Sequence, residues 1–78
     1  MLPRVFNAYA KENFIVEIEF KNKEKGLFDV KPYLEYDVFK PLKNPILFKQ
    51  IKVINGTLVW NDEIDIDPDT VYLDTVKE

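Results

Sequence analysis

The chain has 78 residues, the length of one small domain, and its 46% hydrophobic and 32% charged residues are typical of a folded globular protein. It contains no Cys, His or Ser, which excludes disulfides, thiolate zinc sites and Ser-His or Cys-His nucleophilic catalysis by this chain. The net charge of −3 argues against a surface that binds nucleic acid as a whole.

The first third of the chain begins with two predicted strands. Residues 4–9 alternate, which places three side chains on one face of a short strand: Val5, Asn7 and Tyr9. Residues 14–20 show strict period two, typical of a half-buried antiparallel strand, with large apolar side chains at Phe14, Val16, Ile18 and Phe20.

A polar loop follows and ends at Gly26, which is expected to take the positive-φ position of a hairpin turn. Residues 27–31 resume the alternation as a third strand, with Phe28 and Val30 facing inward. Proline then ends this strand, and residues 32–43 show no clean period. We expect a short helical turn or an irregular connection there.

A short helix is predicted after Asn44, the N-cap, with Pro45 at its first position. Apolar residues recur at helical spacing over about two turns, at Leu47, Phe48 and Ile51. A hairpin follows, in which Asn55-Gly56 predicts a type I′ turn between strands at residues 51–54 and 57–60.

The last segment predicts a turn, a brief edge strand and a helix. Residues 64–66 alternate, Asp67 and Pro68 repeat the helix-start signal, and Asp69 lies where the helix dipole favours an acid. The side chains expected to face inward from this helix are Val71, Tyr72 and Val76. The element order predicts one compact α+β domain over residues 1–78, with a mostly antiparallel sheet of five to six short strands and two short helices.

Charge is uneven along the chain. Residues 61–78 carry seven acids against Lys77 alone, while four lysines occur between residues 38 and 54 with no acid among them: Lys40, Lys43, Lys49 and Lys52. Two interpretations remain open for these lysines: a solvated face, or a contact patch for an acidic protein partner. Their sparse spacing and the lack of Arg argue against nucleic acid as a partner of this chain alone.

The acids of the last segment have the one-three-five spacing of a calcium loop at Asp65, Asp67 and Asp69. The rest of the motif is missing, because Thr70 replaces the required Gly and Val76 the required Glu. We therefore expect structural roles for these acids and for Pro68, and no metal or cofactor.

Trp60, the only Trp, is expected to be buried against Phe14 or Phe20 and the helix that begins at Asn44-Pro45. An interface anchor is the alternative, since Trp and Tyr are enriched at binding hot spots. The same two interpretations hold for Tyr33, Tyr36 and Tyr72, and the first two are candidate partner contacts. Gly26 and Gly56 are interpreted as turn glycines.

The sequence shows no pattern typical of a membrane span or an export signal. The first 14 residues lack the apolar run of a signal peptide, and no stretch approaches the roughly 18 apolar residues of a membrane span. The expected location is cytoplasmic.

The order of these landmarks resembles the bacterial family called domain of unknown function 2442. The resemblance covers residues 3–73, from F-I-V-E-I-E-F through the Phe48 helix and the V-x-x-N-G hairpin to Tyr72. Its most specific part is W-N-D-E-I-D-I-D-P-D-T-V-Y, which is similar to the family's W-x-x-G-x-D-x-x-P-D-x-L-Y. The chain departs from that pattern with Glu63 in place of Gly and Val71 in place of Leu.

The resemblance implies a small α+β domain found alone or fused to a helix-turn-helix domain, with no established catalytic residues. Some relatives lie in two-gene units beside another small protein, which suggests toxin–antitoxin pairs. We therefore expect a non-catalytic protein-interaction module that binds a protein partner or a second copy. The alternatives are an enzyme that uses carboxylates between Asp62 and Asp69, and a dimerisation domain for a nucleic-acid-binding protein.

Overall fold

Short strands and helices make up the fold, which a computed structural model describes for residues 2–78. The strands of this range are β1 (Val5–Ala10), β2 (Ile15–Phe20), β3 (Lys25–Asp29), β4 (Lys52–Ile54), β5 (Thr57–Trp60), β6 (Ile64–Asp65) and β7 (Val76–Lys77). The α-helices are α1 (Pro45–Phe48) and α2 (Pro68–Asp74), and 3-10 helices cover Glu12–Phe14, Lys31–Glu35 and Lys40–Lys43.

Two antiparallel sheets organise these elements, with strand orders β1-β2-β3-β7 and β4-β5-β6 within residues 2–78. The predicted α+β class and single compact domain are confirmed. The strands form two sheets instead of the expected single one. The β4–β5 hairpin pairs with β6 and not with a strand of the first sheet. The additional strand, β7, comes from residues that were predicted to be helical.

The central strand β2 follows the predicted alternation, since Val16, Ile18 and Phe20 are buried. It begins at Ile15 and not at Phe14, because Asn13 and Phe14 have φ values of 60° and 59°. These left-handed conformations break the extended chain just before the strand.

A β-bulge changes which side chains of β1 face the core. Val5 pairs with Phe20 and Asn7 pairs with Glu19, which is the neighbour of Phe20 in β2. Phe6 is therefore an extra residue of β1 with no partner in β2. The alternation therefore reverses after Val5, and Ala8 packs against the core while Tyr9 is exposed. The prediction that Val5 and Tyr9 share a face is wrong for this reason.

Gly26 lies within β3, which corrects its predicted place in the turn. Lys23, with a φ of 75°, takes the left-handed position of that loop. Gly26 pairs with Ile18 on one side and Lys77 on the other. Its missing side chain leaves room for β7, because a Cβ there would lie 2.7 Å from Thr75 Cγ2 and 2.9 Å from Lys77 Cα.

The second hairpin has the predicted turn, in which Asn55 and Gly56 have φ values of 53° and 76°. Gly56 also joins the two sheets, since its carbonyl oxygen accepts a hydrogen bond of 2.8 Å from the Val5 amide. A Cβ at Gly56 would lie 2.7 Å from Arg4 Cβ, so both the turn and the contact favour glycine.

Both α-helices begin where predicted and end earlier. Helix α1 is a single turn, shorter than the expected two, and the Asn44 side chain accepts a 2.9 Å bond from the Ile46 amide. Helix α2 ends at Asp74, and the buried Thr75 hydroxyl donates to the Val71 carbonyl at 2.6 Å. Val76 therefore lies in β7 and is exposed, so its predicted inward position is wrong. No helix of residues 2–78 is long and apolar enough to cross a membrane.

Trp60 lies in the core with no exposed surface. Its indole N–H donates to the Phe48 carbonyl at 2.9 Å, and the two rings stack with centroids 6.2 Å apart. Phe14 packs edge-on against Phe48 at 5.3 Å. Trp60 thus joins the second sheet to α1.

Candidate functional site

The outer face of the first sheet carries four side chains in line, one from each strand. The register aligns Tyr9 with Glu17, Glu17 with Leu27, and Leu27 with Val76. Directly paired residues project from the same face of a sheet. The exposed fractions are 55% for Tyr9, 44% for Leu27 and 74% for Val76. This outer row (Tyr9, Glu17, Leu27 and Val76) is an apolar surface interrupted by one carboxylate.

An acidic cavity of about 350 Å³ opens beside the outer row, near the start of β3. It is lined by Tyr9, Glu17, Ile18, Glu19, Lys25 and Glu78. The ion pairs formed by residues 2–78 are Arg4–Asp69, Lys31–Asp29, Lys40–Asp37 and Lys52–Asp62, so they include none of the cavity's carboxylates. Three carboxylates and one ammonium leave this side of the row negatively charged.

A second cavity, of about 410 Å³, lies at the end of β3 and brings the two candidate tyrosines together. It is lined by Asp29, Pro32, Tyr33, Tyr36 and Asp74. The Tyr33 hydroxyl donates to the Asp74 carboxylate, and its ring packs against Phe28 at 5.5 Å. Tyr36 is 62% exposed. Tyr33 therefore packs at the edge of the core, while Tyr36 is exposed and could contact a partner.

The Tyr33 phenol is expected to ionise at a higher pH than an ordinary tyrosine. Burial and then the hydrogen bond to Asp74 raise its pKa to about 12. A raised folded-state pKa stabilises the fold fully below pH 10, and this contribution is lost as pH rises towards 12. Ultraviolet titration should show tyrosine ionisation at raised pH in the native protein and in Tyr9→Phe, and its amplitude should fall in Tyr33→Phe. The remainder comes from Tyr72, whose hydrogen bond to Glu24 also raises its pKa. An unchanged amplitude in Tyr33→Phe would contradict the assignment.

The four candidate lysines are spread over several elements. Lys40 and Lys43 lie in one 3-10 helix, Lys49 follows α1, and Lys52 begins β4. Lys40 pairs with Asp37 at 2.9 Å and Lys52 with Asp62 at 3.9 Å. These pairs are exposed, so each contributes at most about 1 kcal/mol to stability. The lysines remain candidate contacts for an acidic partner.

The acids of the last segment have separate neighbours. Asp67 caps α2 by accepting a 3.0 Å bond from the Thr70 amide, with Pro68 at the first helical position. Asp69 pairs with Arg4 at 3.3 Å, and Asp65 is exposed between buried isoleucines. Residues 2–78 contain no group of three or more acidic side chains placed to hold a metal ion.

Asp67→Ala is expected to lower the free energy of unfolding by about 0.5–2 kcal/mol, because the first turn of α2 loses its cap. Urea unfolding measures the change. Asp65→Ala removes an exposed acid two residues earlier and should change stability by less than about 0.5 kcal/mol. Equal losses from both substitutions would show that charge, and not the cap, matters here.

Tyr72 connects α2 to the first sheet. Its ring lies edge-on to Phe20 at 4.9 Å, and its hydroxyl donates to Glu24 at 2.6 Å. That bond and a second one from Asn22 hold the pKa of the Glu24 carboxyl below its ordinary value. The Lys77 ammonium lies 3.8 Å from the centroid of the Tyr72 ring. These contacts give Tyr72 a structural role.

The sequence analysis did not identify the outer row. One signal was present, since alternation around the buried Phe28 places Leu27 on the opposite face. Tyr9 was hidden by the bulge at Phe6, and Val76 by the assumption that the last helix continued.

A family model described as "Protein of unknown function (DUF2442)" matches residues 5–74 of the chain. The match includes β1 through α2 and so covers three of the four strands that carry the outer row. No curated protein and no solved structure matches the chain. The family description assigns no activity, so the function has to be inferred from the surface.

Proposed function

The chain belongs to the domain of unknown function 2442 family, and we propose that it acts in the cytoplasm as a non-catalytic protein-interaction module. The exposed outer row carries this proposal. The apolar side chains of Tyr9, Leu27 and Val76 are exposed to solvent, whereas other large apolar side chains of the chain are buried in the core. Leu27 and Val76 are direct neighbours, and adjoining exposed apolar side chains are typical of surfaces that bind another protein.

The proposed partner is the product of a neighbouring small gene, as in an antitoxin-like role. The resemblance to relatives in two-gene units supports this choice. A domain of this size buries only about 60% of its unfolded-chain surface, so binding a partner adds stability that the core alone cannot supply. A second copy is the alternative partner, including a dimerisation role beside a nucleic-acid-binding protein.

A carboxylate-based enzyme is the second candidate function. The observation that favours it is a cavity of about 430 Å³ whose lining includes Asp62, Glu63 and Asp65. General acid–base catalysis needs carboxylates whose environments separate their pKa values. These three side chains are all exposed, and Asp62 lies 3.9 Å from Lys52. The outer row therefore supports the interaction module better.

Photo-cross-linking in the source organism tests the module. A photoreactive residue at position 27 should give one discrete adduct with a protein. The matched control is position 50, because Gln50 is exposed and lies outside the outer row. The same background at both positions would refute the proposal.

A further inference from the structure

The outer row has negative charge within it and on both of its sides along the strands. Glu17 lies between Tyr9 and Leu27, and Glu19 and Glu78 line the cavity beside them. At the opposite end of β3, Asp29 and Asp74 line the second cavity.

Few basic side chains balance these acids. Lys25 is the only basic residue lining either cavity. The ammonium of Lys77 is bonded to the Tyr72 carbonyl oxygen. Lys31 balances Asp29 at 3.1 Å, so the excess negative charge comes from the first cavity, which Glu17, Glu19 and Glu78 line. The apolar surface therefore lies in a negative field that a cationic partner would complement.

A second copy of the chain fits this face poorly. In a symmetric dimer the same patch contacts itself, so the excess carboxylates of one copy would face the same negative patch of the other across the interface. Like charges brought together in an apolar contact are strongly unfavourable. A Lys or Arg from a different protein would instead pair with Glu17.

The spacing of the row favours a helix as the partner element. Neighbouring strands are about 4.8 Å apart, so successive side chains of the row are separated by roughly that distance. A helix advances about 5.4 Å per turn, whereas same-face residues of a strand lie about 6.6–6.8 Å apart. One helix face can thus present one side chain to each member of the row.

We propose that the outer row binds an amphipathic helix of another protein in which a Lys or Arg, placed opposite Glu17, is flanked by apolar side chains that contact Tyr9, Leu27 and Val76. This inference rests on the proposed function and specifies the chemistry of the partner.

Peptide titration followed by amide chemical shifts tests the proposal. The probe is a helical peptide whose apolar face consists of leucines with a single lysine among them. In the control peptide, glutamate replaces that lysine. The lysine peptide should shift the amides of β1, β2, β3 and β7, and the glutamate peptide should bind at least about tenfold more weakly.

Matched variants locate the contact. Glu17→Gln and Leu27→Ala should each weaken the lysine peptide about tenfold. Glu63→Gln removes the same charge from the second hairpin, and Ile46→Ala truncates a side chain that is 71% exposed on α1. Both controls should bind like the native protein, and melting temperatures verify that every variant is folded.

Four results would overturn the proposal. Equal weakening by Glu63→Gln would show that binding follows net charge alone, and equal binding of both peptides would show that Glu17 selects no cation. A dimer that dissociates in Leu27→Ala would show that a second copy covers the face. An adduct at position 27 with an acidic protein segment would refute this inference while the interaction module stands. Without any adduct, the module itself fails.

Discussion

Trp60→Ala is expected to lower the free energy of unfolding by about 3–5 kcal/mol. The substitution empties a fully buried site that stacks on Phe48, and it leaves the Phe48 carbonyl without its 2.9 Å donor. A domain of this size has a total stability at the low end of about 5–15 kcal/mol, so most of it would be lost. Urea unfolding followed by circular dichroism measures the change, since the substitution removes the only Trp.

Trp60→Phe separates the two contributions. It retains an aromatic ring but no donor, so the smaller loss should include about 1–3 kcal/mol for the unpaired carbonyl. Ile46→Ala, at an exposed position on α1, should be nearly neutral. A Trp60→Ala protein that melts within a few degrees of the native protein would mean that the ring does not support the core. That result would favour the interpretation of Trp60 as an interface anchor.

The parts of the fold that the sequence predicted depend on local interactions. The alternation of Val16, Ile18 and Phe20 is enough to place β2, because one face of a strand must be buried. Asn55-Gly56 predicts its hairpin because both residues must tolerate a positive φ, and they have it. In each case the signal lies within a few residues of the structure it specifies.

The parts that differ depend on contacts between distant residues. Nothing in residues 4–9 signals the bulge at Phe6, which is visible only when β1 is aligned with β2. Val76 leaves the helical pattern because β7 pairs with β3, about fifty residues earlier in the chain. The sequence cannot show that a helix will end in favour of such a pairing.

The candidate site has the same limitation. Alternation shows that Leu27 faces outward, but the register of three strand pairs is needed to align it with Tyr9, Glu17 and Val76. Tyr33 and Tyr36 were identified by residue type alone. The structure places both at one cavity and gives Tyr33 a bond to Asp74, 41 residues away.

Gly26→Ala is expected to lower the free energy of unfolding by about 1–3 kcal/mol, because a new Cβ overpacks the contact between β3 and β7. That Cβ would lie 2.7 Å from Thr75 Cγ2, and it would also meet the Val76 carbonyl oxygen. Much of the obstruction is backbone, so β7 must move. The Glu78 amide donates to the Lys25 carbonyl at 2.8 Å, and its hydrogen exchange should become faster.

Leu27→Ala is the matched control, since it changes the next residue of β3 on the exposed face and should leave exchange at Glu78 nearly unchanged. The two substitutions also separate stability from binding. Gly26→Ala displaces Val76 from the outer row by moving β7, whereas Leu27→Ala removes one contact and leaves the strand in place. Native stability and exchange in Gly26→Ala would contradict the close pairing of β7 with β3. The outer row would then lose its fourth member.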